Sequence, residues 1–188
     1  KQKRTFEALS ELIQETADEI RYLESVSNSL DIALSEADLG QIKEELTASG
    51  YVRRKFTKKK VKLTNKPMHY ISSDGYDIYV GKNNIQNDEL TFSFANGGDW
   101  WFHAKGAPGS HVIVKTNGDE LPDRTFEEAG RLAAYYSKNR GSDKVEIDYI
   151  EKKHVKKPNG AKPGFVVYYT NYSLVIDSDI SNIKVVQD

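Results

Sequence analysis

Asp99, Trp101, His103 and Lys105 alternate along one stretch, and Ser110 and His111 follow after the turn Gly106-Ala107-Pro108-Gly109. A carboxylate, an indole, an imidazole and an ammonium in one row could recognise a ligand or move a proton. In extended backbone alternate residues share a face. These four therefore point one way, and Trp100, Phe102 and Ala104 point the other, toward a core. The pattern predicts Trp100 buried and Trp101 at least partly exposed. As an RNA site, Trp101 offers a stacking surface for an unpaired base and Lys105 a phosphate contact, while Asp99 holds His103 in one tautomer as a hydrogen-bond donor. As structure alone, Trp101 is half-buried and Asp99 caps a turn. As catalysis, Asp99, His103 and Ser110 would form a nucleophile triad. That chemistry needs serine on a sharp elbow beside an oxyanion hole, and the stretch suggests neither. Binding is the stronger reading, and no enzymatic activity is expected.

Two alternatives for this stretch fall away on spacing. Gly106-Ala107-Pro108-Gly109 fits the GxxG of KH domains, but it joins two strands rather than two helices. It can still turn backbone N–H groups toward a phosphate. His69, His103, His111 and His154 lack the spacing and co-ligands of a metal site, so neither metal nor cofactor is expected.

Charge adds a second line of argument. The net charge of −1 conceals segregation: residues 1–50 carry −6, residues 51–66 carry +8, residues 67–150 carry −5 and residues 151–164 carry +4. The first basic block includes Arg53, Arg54 and Lys58, and the second holds Lys152, Lys153, Lys156, Lys157 and Lys162. The second block is stiffened by Pro158 and Pro163 and bent at Gly160 and Gly164, so it can present a compact positive surface to a polyanion. The bland alternative for both blocks is a solvated loop.

The elements that must position these residues follow from periodicity. With 188 residues, 38% hydrophobic and 29% charged, the chain has room for one modest core and an appendage. Phe6, Ile13, Ile20, Ser27 and Leu34 alternate with Leu9, Thr16, Leu23, Leu30 and Ala37 in a heptad, which predicts a coiled-coil helix over residues 6–37. Its seam needs a partner, either a helix from outside this stretch or a second copy of the chain. Ser35 followed by Asp38 reads as a helix cap, and Gly50 as a stop. Strands are expected at 69–72, 76–80, 99–105, 110–116, 145–149, 165–170 and 173–176, with helices around 87–95 and 125–137. Thr125-x-x-Glu128 reads as the capping box of the last helix. The alternation of Val145, Ile147 and Tyr149 against Glu146 and Asp148 reads as a half-buried strand. The expected class is α+β, a largely antiparallel sheet with helices on one face. The expected division is a helical arm at 1–50, a basic linker at 51–66 and a globular domain at 67–188.

No run reaches the apolar length of a transmembrane helix, and no secretory signal is visible, so membrane insertion is not expected. The absence of cysteine excludes disulfides and fits a cytosolic compartment. The chain begins at Lys1 in mid-pattern and reads as part of a longer protein.

Four motifs then read together: Asn83-Asn84-x-Gln86-Asn87-Asp88-x-Leu90-Thr91, Asp99-x-Trp101-x-His103-x-Lys105, Pro108-Gly109-Ser110-His111-Val112, and Lys156-Lys157-Pro158-x-Gly160-Ala161-Lys162-Pro163-Gly164. In this order they resemble the C-terminal half of the NFACT family. Residues 67–180 resemble its RNA-binding domain, and residues 1–50 the returning arm of its middle coiled coil. The resemblance implies a cytoplasmic factor that binds large-subunit ribosomal RNA and tRNA and supports C-terminal tailing of stalled nascent chains. RNA contacts are then expected at Trp101, His103, Lys105, Ser110, His111, Lys153, Lys156, Lys157 and Lys162, with Arg53, Arg54 and Lys58 from the linker. Some bacterial members carry fibronectin-binding and adhesin labels, which implies a second reading, a cell-surface module contacting fibronectin.

Overall fold

In a computed structural model of the chain, the structure describes residues 2–53 and 65–186. Helix α1 spans Gln2–Ile32 and contains no glycine or proline. Helix α2 spans Glu36–Ala48 and opens on the expected capping box: Ser35 Oγ accepts from the Asp38 N–H, and the Asp38 carboxylate accepts from the Leu34 and Ser35 N–H groups. That box ends the first helix at Ile32, short of the predicted residue 37. Gly50 follows α2 in the left-handed region at φ 84°, as a helix stop requires.

α2 folds back along α1. Tyr22 and Val26 bury against Ile42, and the Tyr22 hydroxyl lies 2.9 Å from Ser49 Oγ. The buried stripe is not the predicted seam. Phe6, Leu9, Ile13, Ile20, Leu23, Leu30 and Leu34 remain exposed, Phe6 at 72%. No helix among the described residues is long and apolar enough to cross a membrane.

The rest is built on one antiparallel sheet. Its strands are β1 (Met68–Ile71), β2 (Asp77–Val80), β3 (Trp100–Ala104), β4 (Val112–Val114), β5 (Val145–Glu151), β6 (Tyr172–Ile176) and β7 (Lys184–Val185). Their order is β6-β5-β3-β4-β2-β1-β7, and every pairing is antiparallel. The fold is α+β, as the patterning predicts. Two helices complete it: α3 (Asn84–Glu89), which runs on into a π-helical turn at Leu90–Phe94, and α4 (Asp123–Tyr135).

The sheet is covered on both faces, not one. On the first, α4 lays Ala129, Leu132 and Ala133 over Ile78, Val80, Phe102, Ala104, Val112, Val114 and Ile147. On the second, the π-helical turn and the chain after β5 bring Leu90, Ala95 and Val155 over Trp101, Ile113 and Ile150. Much of this second cover is irregular backbone, which carries no hydrophobic period.

Four finer expectations are corrected. α4 starts one turn early, after Pro122, without a side-chain cap. Thr125 and Glu128 instead hold the β1–β2 turn, Thr125 Oγ1 donating to Asp74 and lying 3.1 Å from Ser72 Oγ, and Glu128 accepting from the Ser73 N–H. Asp148 is buried, accepting from the Tyr168 and Ser173 hydroxyls, so β5 is covered on both sides. The stretch 165–170 forms only a bridge between Val167 and Lys156, and β7 closes the far edge of the sheet.

Candidate nucleic-acid interface

The Asp99–Lys105 row is not an open row. Trp101 is 0% exposed, whereas Trp100 on the other face is half-buried. The expected assignment of the two tryptophans is reversed, and Trp101 offers no stacking surface. Its ring packs between His103, His111 and Tyr168, with centroids 4.9–5.6 Å away. A buried indole of this size contributes by apolar burial and ring contacts.

Asp99 precedes β3 and does not hold His103. Its carboxylate accepts from the Asn96 and Thr116 N–H groups at 2.7 and 3.1 Å and pairs with Lys115. It closes a loop, as the structural alternative for it anticipates. Burial pushes the His103 imidazole down to about 4, against the opposing pull of the Gly109 backbone and the Asp148 charge.

His111 is buried and committed. Its Nε2 donates to the Gly164 carbonyl at 3.1 Å, which leaves Nδ1 to accept from Thr91 Oγ1 at 2.8 Å. The Gly164 carbonyl can only accept, so Nε2 of the ring carries the proton. Burial accordingly holds it well below the usual histidine range, and the neighbouring His103 adds to this. Ser110 Oγ is also buried, without a hydrogen-bond partner among the described residues. Ser110 and His111 are therefore withdrawn from a ligand approaching through solvent, whereas His103 is half-buried.

The lysines divide into two groups. Lys105, Lys153 and Lys156 are exposed. Lys105 meets Glu146 at 2.5 Å and Lys153 pairs with Glu151, both surface pairs that cost little to exchange for phosphate. Lys156 is held by its backbone, which bonds both ways with Val167 at 2.9 Å, and its side chain points outward.

Lys157 and Lys162 are half-buried and already engaged within the chain. Lys157 Nζ reaches both Asp88 oxygens at 3.0 and 2.8 Å and the Lys162 carbonyl at 2.6 Å. Lys162 Nζ lies 4.4 Å from the Tyr22 ring centroid and 5.5 Å from that of Tyr51. The basic loop thus straps the helical hairpin to the sheet domain. Arg53 is exposed at the end of the hairpin. Arg54 and Lys58 lie outside the described residues.

The same junction absorbs the Asn83–Asn87 motif. Asn84 Nδ2 donates to Ser25 Oγ and Glu45 Oε1, each at 2.9 Å, and Asn83 and Gln86 both donate to Gln41 at 2.8 Å. Asn87 Oδ1 accepts from the His111 N–H at 3.0 Å. Sequence reasoning missed two well-exposed aromatic side chains of the sheet domain, Tyr169 and Tyr172. The available signal was the alternation of 172–176, which sets Tyr172 on one face of a strand.

An antiparallel sheet domain with exposed lysines, locked to a helical hairpin, has known relatives. Residues 66–170 match the NFACT protein RNA binding domain, and residues 1–65 match the NFACT N-terminal and middle domains. The chain belongs to the NFACT family. It is 45% identical over 185 residues to the Rqc2 homolog RqcH of Streptococcus suis, covering 98% of this chain and 33% of that protein. The Bacillus subtilis Rqc2 homolog RqcH is 40% identical, with 97% of this chain and 32% of the relative covered. The human ribosome quality control complex subunit NEMF is 37% identical over 81 residues, 42% of this chain and 7% of that protein. The chain thus spans about a third of the length of its bacterial relatives. Among solved structures, the C-terminal part of the fibronectin/fibrinogen-binding protein from Streptococcus suis superposes with a TM-score of 0.89 at 44% identity, covering 97% of this chain and 74% of that one.

Proposed function

We propose that this chain is the RNA-binding portion of a ribosome quality-control factor. In this reading it engages ribosomal RNA of the large subunit and tRNA in the cytoplasm, and supports tailing of stalled nascent chains by binding rather than by turnover. The carrying observation is the match of residues 66–170 to the NFACT RNA-binding domain. Relatives named as Rqc2 homologs and as a ribosome quality control subunit support the ribosomal setting. The exposed side chains of Lys153, Lys156 and Arg53 supply the positive charge. The exposed seam of α1 takes its partner helix from the longer protein, a reading supported by the match of residues 1–65 to the N-terminal and middle domains.

Co-sedimentation with isolated large ribosomal subunits tests it. The chain pellets with subunits at low salt and is released as salt rises. Failure to pellet at low salt overturns the reading. The name of the Streptococcus suis structure favours a second reading, fibronectin binding. Capture of fibronectin that survives high salt, without subunit binding, would decide for that one.

A further inference from the structure

We infer that Trp100, Tyr149 and Tyr172 form a stacking platform for an unpaired RNA base at the β5–β6 corner of the sheet. The inference rests on the RNA-binding reading and gives it a site. The three residues share a face: Phe102 pairs with Tyr149 across β3 and β5, and Tyr149 pairs with Tyr172 across β5 and β6. Their rings step outward from the core. Phe102 is fully buried, Tyr149 half-buried and Tyr172 60% exposed, with successive stacked centroids 5.5 Å apart. Trp100 lies 5.8 Å from Tyr149 and 6.2 Å from Tyr172, braced edge-on by Phe126 at 4.9 Å. The inner rings are immobilised by packing, and the outer one keeps a free face. Base stacking needs this combination, because a base adds to a pre-ordered ring at little entropic cost.

Two further observations point to a nucleic acid rather than another apolar surface. The first is charge. β5 runs from Tyr149 through Glu151 directly into the turn Lys152–His154, and both Lys153 and His154 face Glu151, the cross-strand neighbour of Trp100. Glu151 and Asp123 are the acids near the platform, and the pairing of Glu151 with an exposed lysine is readily replaced by a phosphate. The second is strain. Thr170, a β-branched residue, sits at φ 57° between Tyr169 and Tyr172. Such a residue seldom adopts the left-handed region, and strain of this kind collects where geometry serves binding. Tyr169, the residue before Thr170, is 75% exposed.

The test uses the whole chain, a labelled twelve-nucleotide oligouridine and a duplex RNA of equal length. Tyr172→Ala is expected to weaken single-strand binding about tenfold, with Tyr172→Phe close to wild type and duplex binding little changed. Binding should quench tryptophan fluorescence in wild type and not in Trp100→Phe. Thermal unfolding of Tyr172→Ala checks that the fold is intact. If wild type binds oligouridine and Tyr172→Ala binds equally well, the platform is wrong while the RNA reading stands. If wild type binds neither RNA, the RNA reading fails and the platform with it.

Discussion

Lys82 Nζ lies 2.6 Å from the Asp38 carboxylate, and both side chains are largely withdrawn from water. The pair joins the first turn of α2 to the loop after β2, so it ties the helical hairpin to the sheet. Burial alone would raise the Asp38 carboxyl. Lys82, the Leu34 N–H and Asn65 outweigh it and hold the group at about 2. Lys82→Met leaves a buried carboxylate without its counter-charge, which costs about 3–5 kcal/mol. Urea unfolding of the variant checks this, and a loss below about 1 kcal/mol would contradict it.

Two imidazoles, His111 buried and His103 half-buried, make stability depend on pH. His103 is lowered to about 4 in the folded chain against an ordinary value of 6.5, and His111 is also held well below that value. Between those values the unfolded chain binds protons that the folded chain refuses. Stability is therefore full above about pH 6.5 and falls as pH drops toward 4, by roughly 3 kcal/mol for His103 alone. Melting curves at pH 7 and pH 4.5 should show this, and His103→Gln should flatten the dependence. A dependence unchanged in that variant would assign the effect elsewhere.

Gly164 sits where no other residue fits. Its backbone is left-handed at φ 82°, and a Cβ there would lie 2.4 Å from Asn84 Oδ1. Asn84 has nowhere to retreat, since its amide nitrogen is held by Ser25 and Glu45. Gly164→Ala is expected to destabilise the chain by about 2 kcal/mol or more. Gly160 shares the left-handed backbone but faces open space. Gly160→Ala should therefore cost only the backbone part, about 1 kcal/mol. Equal losses in the two variants would show that the Asn84 contact does not matter.

Neighbouring lysines should part company under charge reversal. Lys156 is exposed, whereas Lys157 is bonded to Asp88 and to the Lys162 carbonyl. Lys156→Glu should weaken RNA binding several-fold and leave the melting temperature within about a degree. Lys157→Glu places two carboxylates together and should lower the melting temperature by several degrees. Binding and melting measured on both variants would expose any reversal of these roles.

What could be read from the sequence was local. The Ser35–Asp38 capping box, the buried pair Ile78 and Val80, and the inner stripe Ala129 and Ala133 all follow from short-range spacing, and all are found. What could not be read was what covers the second face of the sheet. Strand alternation says that Trp100 and Trp101 part, but the cover over Trp101 is a π-helical turn and an irregular segment. The basic loop shows the same limit. Lys156 and Lys157 are identical in the sequence and differ only because Asp88, 69 residues before Lys157, meets one of them. The Asn83–Asn87 motif supported the resemblance to the NFACT family without disclosing that its side chains clamp the hairpin.

The salt dependence of the affinity for isolated large ribosomal subunits tests the central claim most directly. If exposed lysines bind phosphate, the logarithm of the affinity falls linearly with the logarithm of salt concentration. Each lost phosphate contact should then flatten that slope by roughly 0.7–0.9. The account predicts a steep fall for the wild-type chain and a shallower one for the Lys153→Glu, Lys156→Glu double variant. An affinity indifferent to salt, or a slope unchanged in the double variant, would contradict it.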